Sequence, residues 1–156
     1  MNGPDPASFV ADADVLAADL LVGGPARDAL DLARAHEWVT VVASEPLLED
    51  AAAVIATTAD PDLAEAWRER AADMVDTVSH PPGDHPGLAS AVAGNAAHLL
   101  SHDAALVSPR SNVALQGRVD VSIRTPEAFV GLFDPASMYE TVVGGEYPGP
   151  DADPRA

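Results

Sequence analysis

Asp12, Glu49, Asp84 and Asp103 each fall where an apolar, strand-like run ends or a helix-like run begins, although together they span much of a 156-residue chain. Hard divalent cations take oxygen ligands, and in an open parallel sheet the carboxyl ends of neighbouring strands converge on one crevice. Acids far apart in sequence can meet there. Gathered without a cation they raise one another's pKa, so the pattern points to a metal site. Asp14, two residues after Asp12, reads either as a fifth acid binding the ion directly or through water, or as a helix N-cap. Ser101, two residues before Asp103, reads as a hydrogen-bond donor that orients the Asp103 carboxylate. No Gly-x-Ser-x-Gly elbow supports serine hydrolysis, and no P-loop or dinucleotide fingerprint is present.

Other polar and aromatic residues carry two readings each. His85 and His102 flank two of the acids and suit phosphate contact or proton transfer, against a plain exposed-loop role. His36, at a helix end, and His98, at a strand start, read as structural. Trp38 and Trp67 read as core rather than as base-stacking platforms. Arg110, Arg118 and Arg124 can meet a phosphate backbone or simply solvate the surface.

Positioning the acids requires alternating strands and helices, and the apolar periodicity predicts them. Met1 to Ala7 reads as a disordered lead-in, so a single domain is expected over residues 8–140. Ser8 to Ala13 is a short strand running into Asp12, and Val15 to Val22 a helix stopped at Gly23-Gly24. Pro25 to Glu37 is a second helix with proline in its first turn. Trp38 to Ala43 is β-branched and continuously apolar, as a central parallel strand should be. Ser44 then caps a helix that turns Leu47, Leu48, Ala51, Val54 and Ile55 inward. Asp60-Pro61 opens another helix through Met74, Val75 to Val78 is a short strand, and His80 to Pro86 a loop. Gly87 to Asn95 is a helix, and His98 to Ser101 a strand ending at His102-Asp103. Val119 to Ile123 is a strand and Pro126 to Phe133 a helix, after which residues 141–156 have too little apolar matter to be ordered. The alternation predicts an α/β fold: a three-layer α/β/α sandwich with a mainly parallel sheet of about five strands and right-handed crossovers.

The composition bounds the rest. There are 25 acidic residues against 8 basic ones, a formal net charge of -17, and every basic residue is Arg. An evenly acidic, lysine-free surface is expected of a halophilic protein, kept dispersed by solvated carboxylates. At about 1 M salt the Debye length is only about 3 Å, so this acidity does not exclude a nucleic-acid substrate. The absence of cysteine excludes disulfides, thiolate metal sites and cysteine nucleophiles. The start is not of signal-peptide type and no apolar run reaches about 18 residues, so a cytoplasmic location with no membrane contact is expected.

Taken in order, the motifs resemble those of the PIN domain, a family of metal-dependent nucleases. The resemblance rests on Val10-Ala11-Asp12-Ala13-Asp14-Val15-Leu16, Ser44-Glu45-Pro46-Leu47-Leu48-Glu49, Gly83-Asp84-His85-Pro86-Gly87, Leu99-Leu100-Ser101-His102-Asp103 and Thr125-Pro126-Glu127-Ala128-Phe129. It covers roughly Ser8 to Phe133. Ala13 and Ala105 depart from it, standing where many members carry a hydroxyl and a further acid. The resemblance implies that Asp12, Asp84 and Asp103 hold Mg2+ or Mn2+, with Glu49 bound directly or through water. It implies hydrolysis of single-stranded RNA by an activated water. Its members suggest a toxin-type enzyme with an antitoxin partner, or a solitary RNA-processing enzyme, and a homodimer. A catalytically inactive RNA-binding or regulatory module is the alternative, and a structure-specific DNA nuclease, lacking here the long extra helices, a weaker one.

Overall fold

A computed structural model of the chain describes residues 4–82, 85–103 and 121–154. The first strand, β1 (Asp5–Ala11), begins ahead of the expected Ser8. The Asp5 N–H donates to the Asn95 carbonyl at 2.8 Å, and the Asp5 carboxylate accepts from the Ala7 N–H at 2.9 Å. Residues 5–7 are therefore strand rather than disordered lead-in, because a distant part of the chain supplies their partner.

Helix α1 (Ala13–Leu21) starts at Asp12, whose carboxylate accepts the Ala13 N–H. Its last carbonyls are satisfied from outside: Arg27 donates to the Asp19 carbonyl at 3.1 and 2.8 Å and to that of Leu20 at 3.3 Å. Gly23 then turns the chain at φ 86°. Helix α2 (Gly24–Ala35) is fixed to α1 by Arg34, which grips both oxygens of the buried Asp19 carboxylate in a two-pronged ion pair. Strand β2 (Thr40–Ser44) starts later than expected, since Trp38 and Val39 still belong to the turn after α2. Ser44 caps α3 (Glu45–Thr58) as predicted, accepting the Leu47 N–H at 3.3 Å. Asp60 caps α4 (Pro61–Met74), which leads to β3 (Asp76–Val78).

Helix α5 (Pro86–Ala93), β4 (Ala96–Leu100), β5 (Ser122–Arg124), α6 (Pro126–Leu132) and α7 (Pro135–Val142) complete the described elements. The five strands form one all-parallel sheet in the order β3-β2-β1-β4-β5. With the helices packed over it the molecule is a three-layer α/β/α sandwich. The core is mostly aliphatic, with Val10, Leu16, Leu30, Leu47, Leu48, Ile55, Leu99 and Leu100 essentially sealed from solvent beside the aromatic Phe9 and Phe129. Two successive crossovers build outward from β1 to β2 and β3. The third returns across the sheet, carrying α5 over β2, β1 and β4 to the other side of β1. The order thus reverses between β1 and β4, where the carboxyl ends of adjacent strands leave a crevice in open α/β sheets.

The chain beyond α7 is seated, contrary to the expected frayed tail. The Tyr147 hydroxyl meets His36 Nε2 at 2.5 Å, the Asp151 N–H donates to the Ala35 carbonyl at 2.7 Å, and the Asp151 carboxylate accepts the Glu37 N–H at 2.6 Å. No described helix is long and apolar enough to cross a membrane.

Candidate functional site

The crevice between β1 and β4 gathers four of the predicted residues. Asp12 follows the last residue of β1, and its N–H continues the ladder to the Leu100 carbonyl at 2.8 Å. One carboxylate oxygen, Oδ1, accepts the Ala13 N–H at 2.9 Å; the other, Oδ2, accepts the Ser101 hydroxyl at 3.1 Å. Ser101 is fully buried, and its Oγ also accepts the Asp103 N–H at 3.0 Å. The hydroxyl therefore orients Asp12 while fixing the Asp103 backbone. This corrects the expectation that it serves the Asp103 carboxylate, and the reason is register: Ala11 pairs with Leu100, which sets Ser101 beside Asp12.

Asp14 stands in the first turn of α1 and is not its N-cap, a place Asp12 takes. Its Oδ2 accepts the His102 N–H at 3.0 Å, whereas Oδ1 is buried with no hydrogen-bond partner among the described residues. Burial pushes its pKa above the ordinary value of 3.8 and the neighbouring Asp12 charge adds to the rise, while the His102 N–H opposes it. An orphaned carboxylate oxygen beside a second carboxylate is a donor set that suits a hard cation.

Glu49 is placed otherwise. It lies on the second turn of α3, and its exposed carboxylate accepts from Arg68 Nε at 3.2 Å, with Glu45 paired to the same guanidinium. Asp84 lies outside the described residues. Among the described residues, no three His, Asp or Glu side chains stand close enough together to hold an ion. The Asp12–Asp14 pair fits one side of a cation, and the described residues do not complete its shell.

The amino end of α5 closes over Asp12. At Gly87 a Cβ would lie 3.0 Å from Asp12 Oδ1, 3.1 Å from Leu99 Cδ1 and 3.2 Å from His85 Cε1, so any larger residue would make these side chains give by a few tenths of an ångström. His85 caps α5 by accepting the Leu88 N–H on Nδ1 at 3.2 Å. In the neutral ring the proton then sits on Nε2, which faces Asp12 Oδ2 at 3.7 Å. Behind His85 opens a cavity of about 370 Å³ lined by Ser79, His80, Pro81, His85, Leu88 and Val92, among others. His80 Nδ1 meets the Pro81 carbonyl at 3.0 Å and must donate to it, so Nε2 accepts from the buried Ser44 hydroxyl at 2.8 Å.

A family model described as "Family of unknown function (DUF7384)" matches residues 3–155. The chain belongs to the DUF7384 family. No curated protein and no solved structure matches it significantly.

The remaining sequence candidates divide clearly. Trp67 is 4% exposed and belongs to the core. Trp38 is clasped between the rings of Phe133 and Tyr139, which leaves neither tryptophan as a free stacking platform. His98 donates from Nε2 to the Pro6 carbonyl at 3.3 Å, and His36 from Nδ1 to that of Leu32 at 2.8 Å, so both are structural as expected. Arg110 and Arg118 lie outside the described residues; Arg124 is in β5, where its carbonyl accepts the Ser101 N–H at 2.9 Å. Sequence reasoning missed His80 and Gly87. A histidine at a Pro-rich loop carries no local signal, whereas a glycine one residue after an X-Pro helix start can be read as a place of close approach.

Proposed function

We propose that the chain is a metal-dependent endoribonuclease that hydrolyses phosphodiester bonds in single-stranded RNA on a PIN-like plan. The observation that carries the reading is the meeting of Asp12, Asp14, Ser101 and the Asp103 backbone at the switch-point crevice, with one Asp14 oxygen buried and without a hydrogen-bond partner among the described residues. Mg2+ or Mn2+ would be held by Asp12, Asp84 and Asp103, with Asp14 beside Asp12 and Glu49 bound directly or through water. Such an ion lowers the pKa of a water and offsets charge on the leaving oxygen. Ser101 fixes the direction of Asp12 and denies it free rotation. His85, with its proton on Nε2, is a donor for a phosphate oxygen and not a base in this arrangement. Work in concentrated salt agrees with the lysine-free, strongly acidic composition, while a cytoplasmic setting and an antitoxin or a second copy as partner rest on the PIN-like reading alone.

The test is manganese-dependent cleavage of single-stranded RNA in molar KCl, abolished by Asp12→Ala and by Asp103→Ala. A loss of at least about 100-fold is expected, the scale on which single groups stabilising transition-state charge act. Cleavage that survives both substitutions places the chemistry elsewhere. The engagement of Glu49 by Arg68 favours a second reading, a non-catalytic RNA-binding module. That module gives no rise in thermal midpoint with Mn2+, since a ligand bound only by the native state must stabilise it.

A further inference from the structure

We propose that the cavity behind His85 is the base subsite of this centre, seating one unstacked nucleobase of the RNA while the adjoining phosphate lies at His85 and Asp12. This rests on the nuclease reading. Ligand pockets run from about 300 to 1,000 Å³, so a space of about 370 Å³ suits a single nucleoside rather than a folded partner. Both edges of the His80 ring are committed, one to the Pro81 carbonyl and one to Ser44, so what the ring can offer a ligand is a face. Histidine is among the side chains on which splayed-out bases stack. Leu88 and Val92 of α5 line the cavity with apolar surface, and Val92 is 53% exposed, an apolar rim open to an incoming ring.

His85 joins the two places. It lines the cavity, and its Nε2 stands 3.7 Å from Asp12 Oδ2, so one side chain borders both the base and the phosphate positions. Charge argues the same way. With 25 acids against 8 arginines the surface cannot gather a phosphate backbone by electrostatics, and salt strong enough to screen the repulsion also removes counterion-driven binding. Holding power has to come from stacking and apolar contact, which concentrated salt leaves intact.

The experiment uses the full chain and a six-nucleotide single-stranded RNA, against a ribose-phosphate chain of equal length without bases. Binding is followed through the ring resonances of the five histidines, and cleavage with Mn2+ is measured in parallel. The RNA is expected to shift His80 and His85 and to leave His36 and His98 in place, whereas the abasic chain leaves His80 unmoved. Val92→Trp, at an exposed position, fills the cavity and is expected to raise KM about tenfold with kcat held, the loss of one stacked base. Cleavage with an unshifted His80 and an unchanged KM for Val92→Trp overturns the subsite and leaves the nuclease standing. A base-dependent His80 shift without cleavage overturns the nuclease and keeps the cavity as a base site. A shift of His80 by the abasic chain, or displacement of RNA only by an apolar peptide, overturns the nucleobase as occupant.

Discussion

Asp14 sets one carboxylate oxygen in a buried position without a donor among the described residues and shares the crevice with the Asp12 charge. Its pKa is raised above 3.8, so the folded chain keeps a proton where the unfolded chain has released it. Stability then falls as pH rises from the unfolded value through the folded one, and near neutrality the ionised group destabilises the fold. Asp14→Asn is expected to raise the thermal midpoint in chelator-treated buffer near pH 7 and to shrink the gain that Mn2+ gives. Scanning calorimetry with and without the ion reads both, and a lower midpoint for the variant shows that donors already neutralise the carboxylate. His98 works with the opposite sign. Burial lowers its pKa below 6.5, the nearby Arg124 charge lowers it further, and the Pro6 carbonyl and Asp5 oppose the fall. The fold holds it neutral, so stability present above 6.5 is lost as pH falls toward the folded value. His98→Gln keeps a donor for Pro6 and removes the titration. Urea midpoints measured from pH 7 down to pH 5 are expected to slope less steeply for the variant, and equal slopes place the acid sensitivity on another group.

Helix α5 is the element whose placement matters most, because it closes the crevice at one end and walls the cavity along its side. Two glycines let it sit there. Gly87 admits Asp12 at the amino end; at Gly94, which ends the helix, an added Cβ would fall 2.5 Å from Val42 Cγ1 in β2. Gly94 has an ordinary negative φ of -94°, so the demand is for space and not for conformation. Gly94→Ala is expected to destabilise by roughly 1–3 kcal/mol, the usual scale of overpacking. Equilibrium denaturation measures it, and a neutral result shows that α5 can slide on the sheet. From the sequence, Gly87 to Asn95 reads correctly as a helix of small residues. Its lean against β2 and Asp12 does not, since both neighbours come from other parts of the chain.

At the scale of the molecule, one aromatic chain ties the carboxyl-terminal segment to the sheet. Phe9 touches Phe129 with ring centres 5.0 Å apart, Phe129 touches Phe133 at 5.3 Å, and Phe133 stacks on Trp38 at 6.2 Å. Trp38 meets Tyr139 at 5.5 Å, Tyr139 meets Tyr147 at 5.8 Å, and Tyr147 returns to His36 at 5.7 Å. Three Phe, both Tyr and one of the two Trp in the sequence are spent on this path, which explains how a tail rich in Gly and Pro stays seated. Because His36 Nδ1 donates to Leu32, its Nε2 accepts the Tyr147 hydroxyl, and burial together with the Asp151 and Asp134 charges keeps that hydroxyl protonated. Tyr147→Phe leaves the 4%-exposed His36 with a buried unsatisfied nitrogen, at a cost of roughly 1–3 kcal/mol. Limited proteolysis is expected to nick the variant after α7 faster than the parent, and equal rates show the hydroxyl to be incidental.

The chain by itself determined the alternation of strands and helices, the caps at Ser44 and Asp60, the all-acid and all-arginine charge set and the strand ends at which Asp12 and Ser101 stand. These are local: periodicity, capping and composition act within a few residues. Tertiary structure decided what depends on pairing across long separations. Asp5 joins β1 because Asn95 and Ala96 lie beside it; Ser101 serves Asp12 because the β1–β4 register sets them side by side; Glu49 turns to Arg68 because α4 packs on α3. A side chain's nearest partner is chosen by the sheet order and the helix packing, which no stretch of adjacent residues encodes.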